Sequence, residues 1–206
     1  MEKSTVSTKS VSRRRLLNLC EGAICIAMAY ALSFLEIPIG VNGGSLSPAM
    51  IPILIFAIRN GAGMGIAAGF LFGIIKFFLA GGTALNWQSM LLDYSVAYAA
   101  VGLGGLVSPL IYGRSDASAN WKKVLLWGAV GTIIGCAARF LIHYISGVTV
   151  YAEWMPEEFL GMTMTTPYFY SLLYNGLFML PSTVLAVVIT PLLLKALGGI
   201  KPAKSR

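Results

Sequence analysis

Apolar residues in this chain run in long blocks rather than alternating with polar ones, and glycine, proline or basic clusters punctuate the blocks. A block of about 20 apolar residues is long enough to cross a bilayer as a helix. The first block, residues 16–39, is predicted as a spanning helix broken near Pro38. Residues 41–48 follow as a Gly/Ser/Pro loop. A second block, residues 49–58, is short for a span and is expected to begin inside that loop, before the tight turn Arg59-Asn60-Gly61. A Gly/Ala-rich third block reaches Ala80, and Gly81-Gly82-Thr83 opens the next loop. Further helices are predicted over residues 87–112, 124–146 and 168–197, with residues 113–123 as a polar link. The fold class is therefore all-α: an integral membrane protein with a six-transmembrane-helix bundle over residues 16–197, flanked by basic tails at 1–15 and 198–206. Residues 1–12 are expected to lack fixed structure.

Composition agrees with that pattern. Hydrophobic residues make up 57% of the chain and charged residues 11%, against roughly 25% charged in soluble domains. The mean hydropathy is +0.77. Cys20, Cys25 and Cys136 form no CxxC pair or spaced ligand set and read as small apolar packing residues. No cleavable signal peptide is expected, because the basic start leads into an apolar stretch of spanning length without a cleavage site.

The net charge of +7 gains meaning from its placement. Lys3, Lys9, Arg13, Arg14, Arg15, Arg59, Arg114, Lys122, Lys123, Lys195, Lys201, Lys204 and Arg206 all fall on one side of a six-span model, which is thirteen of the 15 Lys and Arg residues. The other side carries Glu153, Glu157 and Glu158. By the positive-inside rule both termini are cytoplasmic, and nucleic acid is not the partner the charge implies. The loop over residues 147–167 then faces outward; its Tyr151, Trp154, Met155, Pro156 and Pro167 suit either an interfacial belt or a lid over an outward site.

Ionisable residues inside spans are costly and usually functional. Here they are Asp93, Arg139 and His143, with Glu21, Glu36 and Lys76 nearer helix ends. Arg139, His143 and Gly147 recur at i, i+4, i+8 and line one helical stripe leading to Tyr151. Asp93 and His143 at matching depth resemble the walls of a pocket. An Asp93–Arg139 ion pair that only fixes the bundle, and a histidine serving as an interhelical hydrogen bonder, are the structural alternatives. With Asp93 as counter-ion, His143 and Asn175 as polar partners and Trp87, Tyr94, Tyr98, Tyr151, Trp154, Tyr168 and Tyr170 as aromatic faces, the pocket suits a flat organic cation.

Ala23, Ala27 and Ala31 form a smooth stripe on the first helix, suited to docking a partner helix or to packing within the bundle. No GxxxxGK[ST], GxSxG or HExxH motif is present, and the single histidine limits metal-ligand and triad chemistry. No metal, cofactor or catalytic residue is assigned. No internal repeat supports an inverted-repeat transporter.

Gly43-Gly44-Ser45-Leu46-Ser47, Met50-Ile51-Pro52-Ile53, Leu91-Leu92-Asp93-Tyr94-Ser95-Val96-Ala97-Tyr98, His143-Tyr144-Ile145-Ser146-Gly147 and Tyr170-Ser171-Leu172-Leu173-Tyr174-Asn175-Gly176 occur in an order that resembles the thiamine-specific S component of energy-coupling factor (ECF) transporters. The resemblance covers residues 21–189. It implies a six-helix S-component fold that binds thiamine near the outer surface under a lid. It also implies a membrane scaffold subunit and two cytoplasmic ATPases as partners, in the cytoplasmic membrane of a bacterium. Residue by residue, it implies ligand contacts from Asp93, Tyr94, His143, Gly147, Tyr170 and Asn175, with Tyr151 where some members stack a tryptophan. Ala23, Ala27 and Ala31 match its scaffold-docking stripe.

Three departures stand out. Asp93 replaces the Glu of some relatives, the first loop holds no tryptophan, and Tyr170 and Asn175 lie roughly 140° apart on an ideal helix, which suggests a frayed start at Tyr170. The reading is a thiamine-binding, non-enzymatic uptake subunit. A proton-coupled secondary transporter using Asp93, an intramembrane enzyme using Asp93 and His143, and an S component for a thiamine precursor or another flat vitamin are the alternatives.

Overall fold

The computed structural model describes residues 5–39, 44–79, 82, 84–112 and 120–199. The expectations placed on Gly43, Gly81, Thr83, Lys3, Arg114, Lys201, Lys204 and Arg206, and on most of the 113–123 link and the 198–206 tail, lie outside the described residues.

Helix α1 spans Thr5–Ser33. It starts well upstream of Leu16, so the basic segment from Thr5 onward is helical backbone rather than structureless, which corrects the expectation for residues 5–12. It also stops before residue 39. The amides of Phe34 and Leu35 close tight turns onto the carbonyls of Ala31 and Leu32. Pro38 has no N–H to offer a helix and pushes the residue before it into extended geometry. Ile37–Pro38 (β1) accordingly pairs antiparallel with Ser45–Leu46 (β2).

Helix α2, Met50–Asn60, is only 11 residues long, and every one is buried. At 1.5 Å per residue it rises about 16 Å, roughly half the hydrocarbon thickness of a bilayer. Met50, Ile53, Leu54 and Ile58 place it at the centre of the core. Its buried Arg59 is held by Glu21 of α1 at 2.5 Å. Helix α3 follows over Ala62–Leu79. Gly65, Gly69 and Gly73 form a smooth stripe on it: a Cβ at Gly69 would strike the carbonyl oxygen of Tyr98, and one at Gly73 that of Tyr94. The glycines thus bring α3 against the backbone of the next helix.

That helix, α4, runs over Trp87–Tyr112 and is not uniform. It opens with an Asn86–Ser89 capping box, widens into a π turn over Leu91–Val96 and tightens to 3-10 geometry over Gly102–Val107. Helices α5, Trp121–Thr149, and α6, Pro167–Ala196, complete the bundle. Between them lie a short turn at Ala152–Trp154 and a hairpin pairing Glu158–Phe159 (β3) with Met162–Thr163 (β4). Leu160 and Gly161 both take positive φ at its tip, the signature of a two-residue hairpin turn.

Among the described residues, five helices are long and apolar enough to cross a membrane, and α2 is the shorter apolar sixth. The predicted all-α, six-helix membrane bundle is the observed architecture, with one member reduced to half a span. Large apolar side chains such as Leu126, Leu141, Leu180 and Val184 stand exposed on the long helices, as a lipid-facing surface requires.

Candidate ligand-binding site

A cavity of about 250 Å³ opens among α3, α4, α5, α6 and the loop after α1. Asp93, Tyr94, His143, Gly147, Tyr151, Tyr170 and Asn175 all line it.

The π turn explains the placement of Asp93 and Tyr94. Neighbours in a regular helix diverge by about 100°, yet both of these reach the cavity wall. Such widened turns recur at functional sites because they re-aim side chains. Asp93 Oδ1 lies 3.1 Å from His143 Nδ1, and Ser146 Oγ donates to Asp93 Oδ2 at 3.0 Å. Arg139 Nε donates to His143 Nε2 at 3.3 Å. A guanidinium cannot accept, so Nε2 carries the lone pair and Nδ1 the proton, and His143 is a neutral imidazole donating to Asp93. The result is a directed hydrogen-bond chain from Arg139 through His143 to the Asp93 carboxylate.

The Asp93–Arg139 ion pair considered from the sequence is not formed. Arg139 instead lies over the Tyr98 ring, 4.2 Å from its centroid, with Nη1 near Met50 Sδ. Among the described residues no carboxylate pairs with it. Tyr98 also accepts a hydrogen bond from Lys76 Nζ at 3.1 Å. Lys76 is in turn ion-paired with Glu36, which accepts from Ser45 and Ser47. The cavity floor therefore holds two cations around one tyrosine, and one of them is balanced by Glu36.

On the α6 side, Asn175 Nδ2 donates to the carbonyls of Ser171 (2.9 Å) and His143 (3.3 Å) and approaches Ser171 Oγ. Its Oδ1 takes no hydrogen bond from the described residues and is what this side chain can offer a ligand. Gly147 has a packing reason: a Cβ there would strike Ser171 Oγ and sit 2.9 Å from Ser171 Cβ. Without a side chain at 147, Ser171 fits between α5 and α6 and donates to the Tyr144 carbonyl at 2.9 Å.

An aromatic ladder rises along α6. Ring centroids are 5.7 Å apart for His143–Phe178, 5.8 Å for Phe178–Tyr174, 5.6 Å for Tyr174–Tyr170 and 5.4 Å for Tyr170–Phe159. Phe159 belongs to the β3–β4 hairpin, so the outer loop is tied to the cavity wall through its ring. Tyr174 also accepts from the Gly44 amide at 3.0 Å, anchoring the other loop. Burial, and secondarily the charge of Asp93, push the Tyr151 phenol up to about 12, so it meets a ligand protonated.

Some expectations need correction. Tyr170 is not frayed: its amide bonds the Thr166 carbonyl at 3.1 Å in the first turn of α6, and the ladder faces it inward. Trp87, Trp154 and Tyr168 are 69%, 63% and 61% exposed and do not line the cavity. Hydropathy and proximity along the chain could not separate them from Tyr94 and Tyr151. Missed from sequence as wall residues were Glu36, Lys76, Arg139, Tyr174 and Phe178. The i, i+4, i+8 run Tyr170, Tyr174, Phe178 carried the signal for two of them.

The chain matches the family model "Thiamine transporter protein" (Thia_YuaJ) over residues 19–201. It is 33% identical over 184 residues to the thiamine transporter ThiT of Lacticaseibacillus paracasei, covering 88% of each chain. It is 32% identical over 186 residues to the thiamine transporter ThiT of Bacillus subtilis, covering 87% of this chain and 91% of the relative. Among solved structures, ThiT from Listeria monocytogenes superposes with a TM-score of 0.77 at 29% identity, over 88% of this chain and 95% of the other. A multi-pass helical bundle matched from residue 19 to residue 201 leaves one assignment: this chain belongs to the thiamine transporter protein family.

Proposed function

We propose that this chain is the thiamine-binding S component of an ECF-type uptake transporter, capturing the vitamin at the outer face and delivering it inward. The observation that carries the reading is the cavity itself. Its volume of about 250 Å³ lies just under the usual range for small-molecule sites, about 300–1,000 Å³, which suits a compact two-ring ligand. Asp93 supplies the counter-charge for an organic cation. The ladder from Phe178 to Tyr170, with Tyr94 and Tyr151, supplies ring faces for stacking and cation–π contact. Asn175 Oδ1 offers an acceptor, and His143, Gly147 and Ser171 fix the walls. The family is one of transporters, and the chain's chemistry is binding rather than turnover.

The partners follow from the same reading. The chain carries no P-loop, so uphill import draws on a scaffold subunit and two cytoplasmic ATPases. Ala23, Ala27 and Ala31 are all exposed on α1, which favours an external partner over packing within the bundle. With the basic ends inward, the chain sits in the bacterial cytoplasmic membrane with both termini cytoplasmic. Uptake of labelled thiamine by cells expressing the chain with or without an ECF module tests this. Accumulation should need the module and survive collapse of the proton gradient while ATP is maintained. Module-independent uptake abolished by a protonophore would favour a secondary transporter instead.

A further inference from the structure

We propose that the inner end of the α5–α6 seam is a binding site for the headgroup of an anionic phospholipid, held by Lys122, Lys195 and Trp121. The three residues come from the start of one long helix and the end of its neighbour. Trp121 is 51% exposed. The Lys195 ammonium lies 4.9 Å from its ring centroid and that of Lys122 lies 5.7 Å away. Two like charges from separate helices thus converge on one ring, although both side chains are exposed and long enough to point apart. Among the described residues neither is in an ion pair. Lys123 adds a third exposed cation beside them.

The backbone does nothing to relieve this concentration. Lys122 and Lys123 lie in the first turn of α5, which holds no acidic residue, and the helix dipole is positive there. Underneath, the seam is rigid: Gly128 of α5 approaches Pro191 and Leu194 of α6 closely, and Val124 and Leu194 are buried. The cations are therefore displayed from a fixed apolar base at the end of two membrane-length helices. A tryptophan at such a level prefers the lipid interface, with its ring among the acyl–headgroup boundary and its N–H toward polar groups. A phosphodiester there meets two ammonium groups above the ring, while its acyl chains lie along the exposed apolar side of α5 and α6 at Leu126, Leu192 and Leu193. Basic pockets between helices at the inner face take anionic headgroups for this reason.

The test is thermal unfolding of the purified full chain in detergent with added phosphatidylglycerol, phosphatidylcholine or inorganic phosphate, for wild type and for Lys122→Gln/Lys195→Gln. Phosphatidylglycerol should raise the melting temperature of wild type saturably, with phosphatidylcholine and phosphate giving much less. Each lysine near an anionic surface contributes roughly fivefold in affinity, so the double variant should bind about thirtyfold more weakly. Lys122→Arg/Lys195→Arg should restore the response, which separates lost charge from lost folding. Equal stabilisation by the two lipids, an unchanged response in the Gln variant, or full stabilisation by phosphate alone would each overturn the proposal.

Discussion

Replacing Asp93 by Asn removes one charge while keeping the shape of the wall. In the unliganded protein the cost is small. The Asn carbonyl can still accept from His143 Nδ1, 3.1 Å away in the parent, and its amide can donate to Ser146 Oγ in place of the bond it received at 3.0 Å. Two charge-assisted bonds become neutral ones, a loss of about 1 kcal/mol each at most. The effect on a cationic ligand is larger. A unit charge about 5 Å from the carboxylate, at an effective dielectric near 20, is attracted by roughly 3 kcal/mol. Arg139, a buried cation lining the same cavity, acts on the ligand equally in both proteins and drops out of the difference, whereas an effective dielectric nearer ~30 lowers the figure to about 2 kcal/mol. Thiamine affinity should therefore fall between about thirtyfold and two-hundredfold. Isothermal titration of purified wild type and Asp93→Asn, at matched detergent and salt, measures it directly. An affinity within threefold of wild type, in a variant that melts normally, would show that the ligand's charge is not read at Asp93.

Four further outcomes follow from the geometry. Gly147→Ala should force α5 and α6 apart at Ser171, lowering stability by about 1–3 kcal/mol in thermal melts and weakening thiamine binding together with it. Lys76→Met and Glu36→Gln should each destabilise the bundle by about 1–3 kcal/mol while the double variant recovers most of the loss, since the pair is largely buried; additive losses in the double-mutant cycle would argue against coupling. Phe178→Leu should cut affinity by about 1 kcal/mol, the worth of one aromatic contact beside His143, as read by tryptophan fluorescence titration. Ala27→Trp should leave thiamine binding by the isolated chain intact but abolish co-purification with an ECF module, because Ala27 is exposed on α1, away from the cavity.

The bundle is readable because spanning helices are written in long apolar blocks. The half-length of α2 was foreshadowed by its short block, but its complete burial was not; that depends on neighbours chosen by the glycine stripe of α3. Helix ends were less readable. Thr5–Ser12 looks like a tail by hydropathy, yet its backbone continues α1. The site residues Asp93 and His143 stand out in the sequence because ionisable groups are rare inside spans. Which way each side chain faces was hidden where the helix departs from 3.6 residues per turn. The π turn at Leu91–Val96 is the clearest case, since no local sequence rule announces it. Glu36 and Lys76 are 40 positions apart, and their meeting depends on the loop folding back through β1 and β2. The aromatics divide for the same reason: Tyr170 and Tyr168 differ by two positions on α6, and only the first faces the ladder.

The most direct test of the account is equilibrium binding of thiamine to the purified, detergent-solubilised chain without any partner, with riboflavin and biotin as controls. The cavity and its acidic wall predict saturable one-to-one binding of thiamine and none of the controls, with thiamine returned chemically unchanged. A well-folded chain that does not bind thiamine, or binds the controls as tightly, would contradict the assignment of this cavity to that vitamin.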